Sequence, residues 1–260
     1  MTLVTAKPAG GDFLRHRERI HEDSFMPLSR RLEILARCAL FEGSPLEVLS
    51  ELAAGAVERR LKHGEILFSA NEFADGLYIV LSGSVRAFRV NLDGREQTIH
   101  IEQQGGVLAE VAVFDGGPFP STTIAEEDSE VLFLAKDDVL RFMLRHPEAA
   151  LRALAIVAKK LRMVASMVEQ LALMDVSQRL ARFLLDEATR SIPKLKDGVS
   201  FTLALSHSQI ASRLGSVREV VTRGLQKLAQ QGVIQVRGRR VVVLNAKKLR
   251  DHAEDSPTTN

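Results

Sequence analysis

Residues 206–234, SHSQIASRLGSVREVVTRGLQKLAQQGVI, decide how the C-terminal part of this chain folds. Ser206 can cap a short helix, because a serine hydroxyl accepts a hydrogen bond from a first-turn N–H. Gly215 can end that helix in the left-handed conformation, and Ser216 is expected to cap a second helix. Apolar residues recur at helical spacing on one face of each: Ile210, Ala211 and Leu214, then Val220, Val221, Leu225 and Leu228. Two short helices joined by a tight glycine turn predict a helix-turn-helix.

Polar side chains occupy the other face of the second helix, near the end that meets base edges in the major groove of DNA. They are Arg218, Glu219, Thr222 and Arg223. Arginine can bond guanine bidentately, and glutamate can accept from the cytosine amino group. Because a glutamate repels phosphates, this face favours sequence-specific DNA binding. The alternative is a helical hairpin whose charges are only solvated.

An arginine-rich hairpin and an uneven charge distribution support DNA binding. The hairpin spans residues 233–244 and carries Arg237, Arg239 and Arg240 at its turn, which resembles a wing resting on phosphates. Residues 1–174 carry 20 Lys/Arg against 25 Asp/Glu, a net of −5, whereas residues 175–250 carry 15 against 5, a net of +10. The basic part is therefore expected to contact a polyanion.

The remaining composition excludes several classes of protein. The 260 residues are 45% hydrophobic and 26% charged, as in globular proteins. No apolar run reaches the ~18 residues of a membrane helix, and the N-terminal stretch lacks the apolar region of a secretory signal. Cys38, the single cysteine, provides neither a disulfide framework nor a multi-cysteine metal or iron–sulfur site. We expect a cytoplasmic protein without membrane contact, and the absence of P-loop, G-x-S-x-G and H-E-x-x-H motifs argues against an enzyme.

Short segments typical of β-strands fill residues 57–134, after a helical stretch at residues 30–56. Glycine turns separate these segments, and Asp93-Gly94 gives the clearest hairpin signal. The spacing predicts a small antiparallel barrel or sandwich. Residues 1–28 are expected to form a flexible extension, and residues 251–260 a polar tail.

A long helix is predicted for residues 147–174, since there is no glycine or proline after Pro147. Its apolar residues fall on two seven-residue series: Leu154, Leu161 and Val168, and Val157, Val164 and Leu171. This is the seam of a coiled coil over about three heptads. We therefore expect a homodimer; the alternative is a helix packed on its own domain.

This order of elements resembles the cAMP receptor protein/FNR (Crp/Fnr) family of bacterial transcription regulators. The motifs are ADGLY at 74–78, SGSV at 82–85, AEVAVF at 109–114, LALMDV at 171–176 and the helix-turn-helix. The resemblance covers about residues 32–250 and implies an α+β fold. A cyclic-nucleotide-binding-like β-roll (jelly roll) is expected as sensor at 29–146, a dimerisation helix at 147–174, and a winged helix-turn-helix at 175–250, whose pose depends on the sensor.

The same resemblance assigns the DNA contacts. Arg218, Glu219 and Arg223 match the base-reading positions in the arrangement of the cAMP-type members. Ser208, Arg237 and Arg239 match positions that contact phosphates. The implied partners are double-stranded DNA, as a palindromic operator with TGTGA-like half-sites, and RNA polymerase if the protein is an activator.

The effector pocket departs from the cyclic-nucleotide pattern, in which a Gly-Glu pair holds the ribose and an Arg-Ser pair holds the phosphate. Glu110 and Ser121 are present, but Ala109 replaces the glycine and Pro120 replaces the arginine. Val164 and Ala165 replace hydroxyl residues that meet the base. Because the phosphate would lack a charge-assisted partner, cAMP is not the expected effector. The same loss opposes a second reading, a cyclic-nucleotide module that controls an enzyme or channel.

A haem-dependent, nitric-oxide-responsive regulator is a further alternative, because residues 109–122 resemble that branch of the family. Its axial ligands would come from His16, His21, His63 or His100. An FNR-type iron–sulfur cluster is not expected, since it needs several cysteines. An apolar or small organic effector, or none at all, stays open.

Overall fold

The computed structural model describes residues 26–191 and 195–254. Two helices come first, α1 Leu28–Arg37 and α2 Leu46–Gly55. The strands that follow are β1 Val57–Leu61, β2 Ile66–Phe68, β3 Gly76–Ser82, β4 Ser84–Val90, β5 Glu96–Gln103, β6 Val107–Leu108, β7 Thr122–Ala125 and β8 Ser129–Ala135. A short helix, α3 Glu110–Asp115, lies between β6 and β7, and α4 Lys136–Arg145 follows β8.

The strands form two four-stranded antiparallel sheets, in the orders β1-β8-β3-β6 and β2-β7-β4-β5. Alternating side chains of both sheets point into one core, as the period of two requires. Strand β3 is buried over residues 76–80 without alternation, because α4 packs against it as well. The predicted turn at Asp93-Gly94 joins β4 to β5, with the Gly94 N–H donating to the Asn91 carbonyl at 3.0 Å.

A 27-residue helix, α5 Pro147–Leu173, leaves this β-roll, with Pro147 in its first turn. Met174 is extended, and a second helix, α6 Val176–Ser191, begins immediately after it. Asp175 and Gln178 exchange side-chain-to-backbone hydrogen bonds of 2.9 and 2.7 Å, which is a capping box. This break separates two hydrophobic cores, one in the β-roll and one in the C-terminal part.

The C-terminal core is built from helices and a three-stranded sheet. The elements are β9 Ser200–Thr202, α7 His207–Leu214, α8 Arg218–Gln230, β10 Ile234–Arg237, β11 Arg240–Val243 and α9 Ala246–Glu254. The strands pair antiparallel in the order β10-β11-β9. Helices α7 and α8 form a helix-turn-helix, and β10 and β11 form the hairpin beside it.

The structure differs from the sequence-based expectations at several ends. Helix α9 extends to Glu254 with Ala253 buried, so residues 251–254 are helical rather than a tail. Met26 is buried and α1 begins at Leu28, so the ordered fold starts before residue 29. The rest of the predicted extension and tail, residues 1–25 and 255–260, lies outside the described residues. Within the described residues, no helix has the length and apolar character that crossing a membrane requires.

Candidate nucleic-acid interface and effector site

The first helix of the helix-turn-helix begins as predicted. Ser206 accepts from the Gln209 N–H at 3.3 Å, and the Gln209 side chain accepts from the Ser206 N–H at 2.9 Å. Gly215 ends the helix at φ 61°, and a side chain there would come within 2.6 Å of Gln97. The buried face consists of Ile210, Ala211 and Leu214. Local sequence therefore fixes this helix at both ends.

The second helix starts one residue later than predicted. Ser216 does not cap it, because the Ser216 N–H donates to the Ala211 carbonyl at 2.9 Å and so closes the preceding turn. Val217 occupies the N-cap position and provides no side-chain hydrogen bond. Val221, Leu225 and Leu228 are buried, whereas Val220 is partly exposed.

The predicted base-reading residues lie together on the open side of α8. Arg218, Glu219 and Arg223 are exposed, and their side chains make no hydrogen bond or ion pair within the part of the chain that the structure describes. Glu219 also lies in the first turn, where a carboxylate interacts favourably with the helix dipole. Two arginines and one glutamate are thus free to contact base edges.

Thr222 differs from these three. Its hydroxyl donates to the Arg218 carbonyl at 3.0 Å and lies 3.0 Å from Nδ1 of His207. The side chain is partly buried. Its hydroxyl therefore contacts groups of the protein itself, although the sequence predicts Thr222 as a DNA-contacting residue beside Arg218, Glu219 and Arg223.

The wing carries arginines with different surroundings. Arg237 and Arg239 are exposed, and neither side chain has a hydrogen bond or ion pair to a described residue. Arg240 instead donates to Ser200 Oγ at 2.9 Å. Ser208 is exposed on α7. Arg237, Arg239 and Ser208 are therefore accessible to solvent, and their contact with phosphates stays a prediction of the resemblance.

Helix α7 packs against β5 of the β-roll. Thr98 Oγ1 and Ser212 Oγ are 2.9 Å apart, and Gln97 Nε2 donates to the Arg213 carbonyl at 3.3 Å. Gln209 Nε2 donates to Glu126 Oε2 at 2.7 Å. Burial lowers the pKa of the Arg213 guanidinium. This docking leaves the reading residues of α8 exposed.

The predicted effector pocket contains a partly buried ion cluster that the sequence analysis missed. Lys160 of α5 is 2.9 Å from both Glu102 and Glu110, and its ammonium donates to the Val107 carbonyl at 2.7 Å. The Glu110 side chain is only 5% exposed. All three N–H bonds of Lys160 therefore have partners, and the Glu110 carboxylate is ion-paired within the protein. Lys160 lies four residues before Val164 and therefore on the same face of α5. This spacing is the sequence signal that could have placed Lys160 in the effector pocket.

The other pocket residues occupy varied positions. Ala109 has φ 71° and turns the chain from β6 into α3, so an alanine adopts the left-handed conformation that glycine accepts most easily. Ser121 is buried and Pro120 is exposed. On α5, Val164 is partly buried and Ala165 is exposed.

The histidines proposed as haem ligands have different surroundings. His100 lies 3.9 Å from Glu102, and burial followed by the nearby Lys160 charge lowers the pKa of its imidazole to about 4. His63 is exposed, and His16 and His21 lie outside the described residues. Among the residues that the structure describes, no group of three or more His, Cys, Asp or Glu could hold a metal ion.

The apolar seam of α5 faces solvent in the single chain. Leu154 is 65% exposed, Leu161 is 68% exposed and Val168 is 56% exposed. Leu171 is exposed too, whereas Val157 and Val164 are partly buried. A row of large apolar side chains this open is typical of interaction surfaces, and the dimer assigned to this seam stays a prediction.

Comparisons with known proteins agree with this architecture. A cyclic nucleotide-binding domain model matches residues 58–146, and a Crp-like helix-turn-helix domain model matches residues 178–252. The cyclic AMP receptor protein of Thermus thermophilus is 32% identical over 216 residues, which are 82% of this chain and 96% of that protein. The global nitrogen regulator of Synechococcus elongatus is 26% identical over 209 residues, 78% of this chain and 94% of the relative. The structure of FixK2 from Bradyrhizobium japonicum covers 77% of this chain and 98% of its own, with a TM-score of 0.63 and 25% identity.

Proposed function

The chain belongs to the Crp/Fnr family of DNA-binding transcription regulators, and we propose that it binds a palindromic operator as a homodimer. The observation that carries this proposal is the surface of α8, where Arg218, Glu219 and Arg223 are exposed and free of described intramolecular partners. In this reading, the arginines bond guanines and Glu219 accepts from a cytosine amino group. Ser208, Arg237 and Arg239 hold phosphates on either side and set the register.

The palindrome follows from the proposed dimer. Two copies joined along α5 are related by a twofold axis, so their reading helices meet two half-sites of opposite orientation. TGTGA-like half-sites are the first sequence to test. Operator DNA as partner supports a cytoplasmic location, and an activating role would add RNA polymerase as a partner.

Replacing Arg223 by alanine tests the reading surface. We expect Arg223→Ala to weaken binding to a TGTGA palindrome by about 1–3 kcal/mol and to reduce discrimination at one G·C pair. Fluorescence anisotropy with cognate and scrambled duplexes measures both effects. Arg182→Ala, which removes an exposed arginine of α6 from outside the interface, should bind like wild type. Equal behaviour of Arg223→Ala and wild type on both duplexes would contradict the assignment.

We also propose that the β-roll senses a signal other than cAMP. The glutamate that would hold a ribose is ion-paired with Lys160, and Pro120 offers a cyclic phosphate no charge-assisted hydrogen bond. The pocket cluster of Lys160 with Glu102 and Glu110 carries one more negative than positive charge, which disfavours an anion. Calorimetric titration of the wild-type dimer with cAMP should give no binding heat at ligand concentrations up to about 1 mM, where a free energy of about −4 kcal/mol would be detected. A saturable heat would contradict this part of the proposal.

A further inference from the structure

The reading helix α8 has a weakly secured start. Its N-cap is Val217, which accepts no hydrogen bond from the first turn with its side chain. The first N–H groups of a helix otherwise depend on such caps or on water. Arg218 and Glu219, two of the three proposed reading residues, lie in this first turn. Their placement therefore needs support from elsewhere in the protein.

Thr222 and His207 form a polar tie at this end of the helix-turn-helix. The Thr222 hydroxyl donates to the Arg218 carbonyl at 3.0 Å, four residues back along α8. The same oxygen is 3.0 Å from His207 Nδ1. Both contacts are satisfied together when the hydroxyl donates to the Arg218 carbonyl and the imidazole, protonated on Nδ1, donates to Thr222, and we assign this tautomer.

His207 itself is held by the preceding capping box. It is the first residue of α7, directly after Ser206, and the reciprocal bonds of Ser206 and Gln209 fix the backbone there. The apolar contacts of the two helices lie deeper, at the buried residues Ile210, Val221 and Leu225. The tie thus joins the start of α7, which has a capping box, to the start of α8, which has no side-chain cap.

We propose that His207 is a positioning residue of the DNA-reading surface, which holds the first turn of α8 through Thr222. The inference rests on the proposed DNA-binding role of α8. It changes the role of Thr222 from a base contact to a link between His207 and the backbone of Arg218. His207 acts through its Nδ1, whereas a direct contact with a DNA phosphate would have to use its other nitrogen, Nε2.

Two substitutions separate these roles because they retain different nitrogens. Asparagine places its amide nitrogen near the position of Nδ1, and glutamine places its amide nitrogen near that of Nε2. Specific binding of a TGTGA palindrome is measured by anisotropy for His207→Ala, His207→Asn, His207→Gln, Thr222→Val and Thr222→Ser. Thr222→Val removes the hydroxyl without changing the shape, and Thr222→Ser is its control.

We expect His207→Ala and Thr222→Val each to weaken binding about threefold to tenfold, the range of one hydrogen bond. The double variant should be no weaker than either single variant, because both break the same link. His207→Asn and Thr222→Ser should bind within about twofold of wild type, and His207→Gln should bind like His207→Ala. The salt dependence of binding should be unchanged, since no phosphate contact is lost.

Several results would overturn the proposal. Restoration by His207→Gln but not by His207→Asn, or a salt slope reduced by about one in His207→Ala, would identify a phosphate contact instead. Wild-type affinity of His207→Ala would show that the tie does not matter. Failure of wild type to bind any palindrome would count against the proposed function rather than against the tie.

Amide hydrogen exchange of the free protein gives a readout that needs no DNA. The amides of residues 220–222, the first in α8 with backbone acceptors, should exchange faster in His207→Ala and Thr222→Val and recover in His207→Asn, while those of Leu225 and Leu228 stay protected. Uniformly faster exchange along the whole of α8 would indicate a loss of domain stability and would contradict a positioning role.

Discussion

Ala109 shows how the β-roll departs from a cyclic-nucleotide pocket. Its φ of 71° lies in the left-handed region, where a Cβ costs roughly 1–2 kcal/mol relative to glycine. The bend presents Glu110 of α3 to Lys160 at 2.9 Å. The loss of the glycine was visible in the sequence. The ion pair was not, because it joins residues 50 positions apart through the packing of α3 on α5.

We expect Ala109→Gly to be nearly neutral for stability. Relief of the backbone strain is offset by the greater freedom of glycine in the unfolded chain, about 0.5–1 kcal/mol, and by the loss of a buried methyl, about 0.8 kcal/mol. Ala112→Gly, in the same short helix with a buried methyl but without positive φ, lacks the relief and should cost about 1–2 kcal/mol. Urea unfolding followed by the fluorescence of Tyr78, the single tyrosine, reports on the β-roll. Equal losses in both variants would contradict strain at Ala109.

Individual elements were predicted more completely than their ends. The helix-turn-helix and the β4–β5 hairpin followed from periodicity and turn residues, whereas the α+β fold was implied by the family resemblance. The fold class is confirmed by the matching family models and solved structures. The predicted start of α8 was wrong because the sequence alone makes Ser216 look like an N-cap residue. Its N–H closes the preceding helix on Ala211, which shifts the extended cap position to Val217.

The seam of α5 carries a prediction about assembly. Leu161 is 68% exposed near the middle of the helix, so a second copy would bury it in the proposed dimer. Leu161→Glu places a charge at a position that is mostly exposed in the single chain, and we expect it to yield monomers. Arg162→Glu, one residue along and off the seam, should remain dimeric. Analytical ultracentrifugation at micromolar concentrations measures the outcome, and a dimeric Leu161→Glu would place the contact elsewhere.

The contacts between the β-roll and the C-terminal DNA-binding part could not be predicted from the sequence. Thr98 and Ser212 are 114 positions apart, and neither lies in a pattern that indicates a partner. Periodicity identifies the buried face of an element, but it does not identify which polar groups on two separate domains will meet. The resemblance implied only that the pose of the reading part depends on the sensor. In the structure, β5 contacts both the helix-turn-helix and the long helix: Thr98 lies against α7, and Glu102 pairs with Lys160 of α5.

The docking of α7 on β5 is small and polar, so its loss should release the reading part around the break at Met174. The double variant Gln97→Ala/Thr98→Val removes the hydrogen bonds to Arg213 and Ser212, and leaves the one between Glu126 and Gln209. At about 0.5–1.5 kcal/mol for each bond, the undocked population should rise on the order of tenfold. Small-angle scattering should then show a larger radius of gyration than wild type at equal dimer content. Thr189→Val is the control, because that hydroxyl bonds only to carbonyls of its own helix. A double variant as compact as Thr189→Val would mean that the Glu126–Gln209 hydrogen bond and the chain at the Met174 break are enough to hold the two parts together.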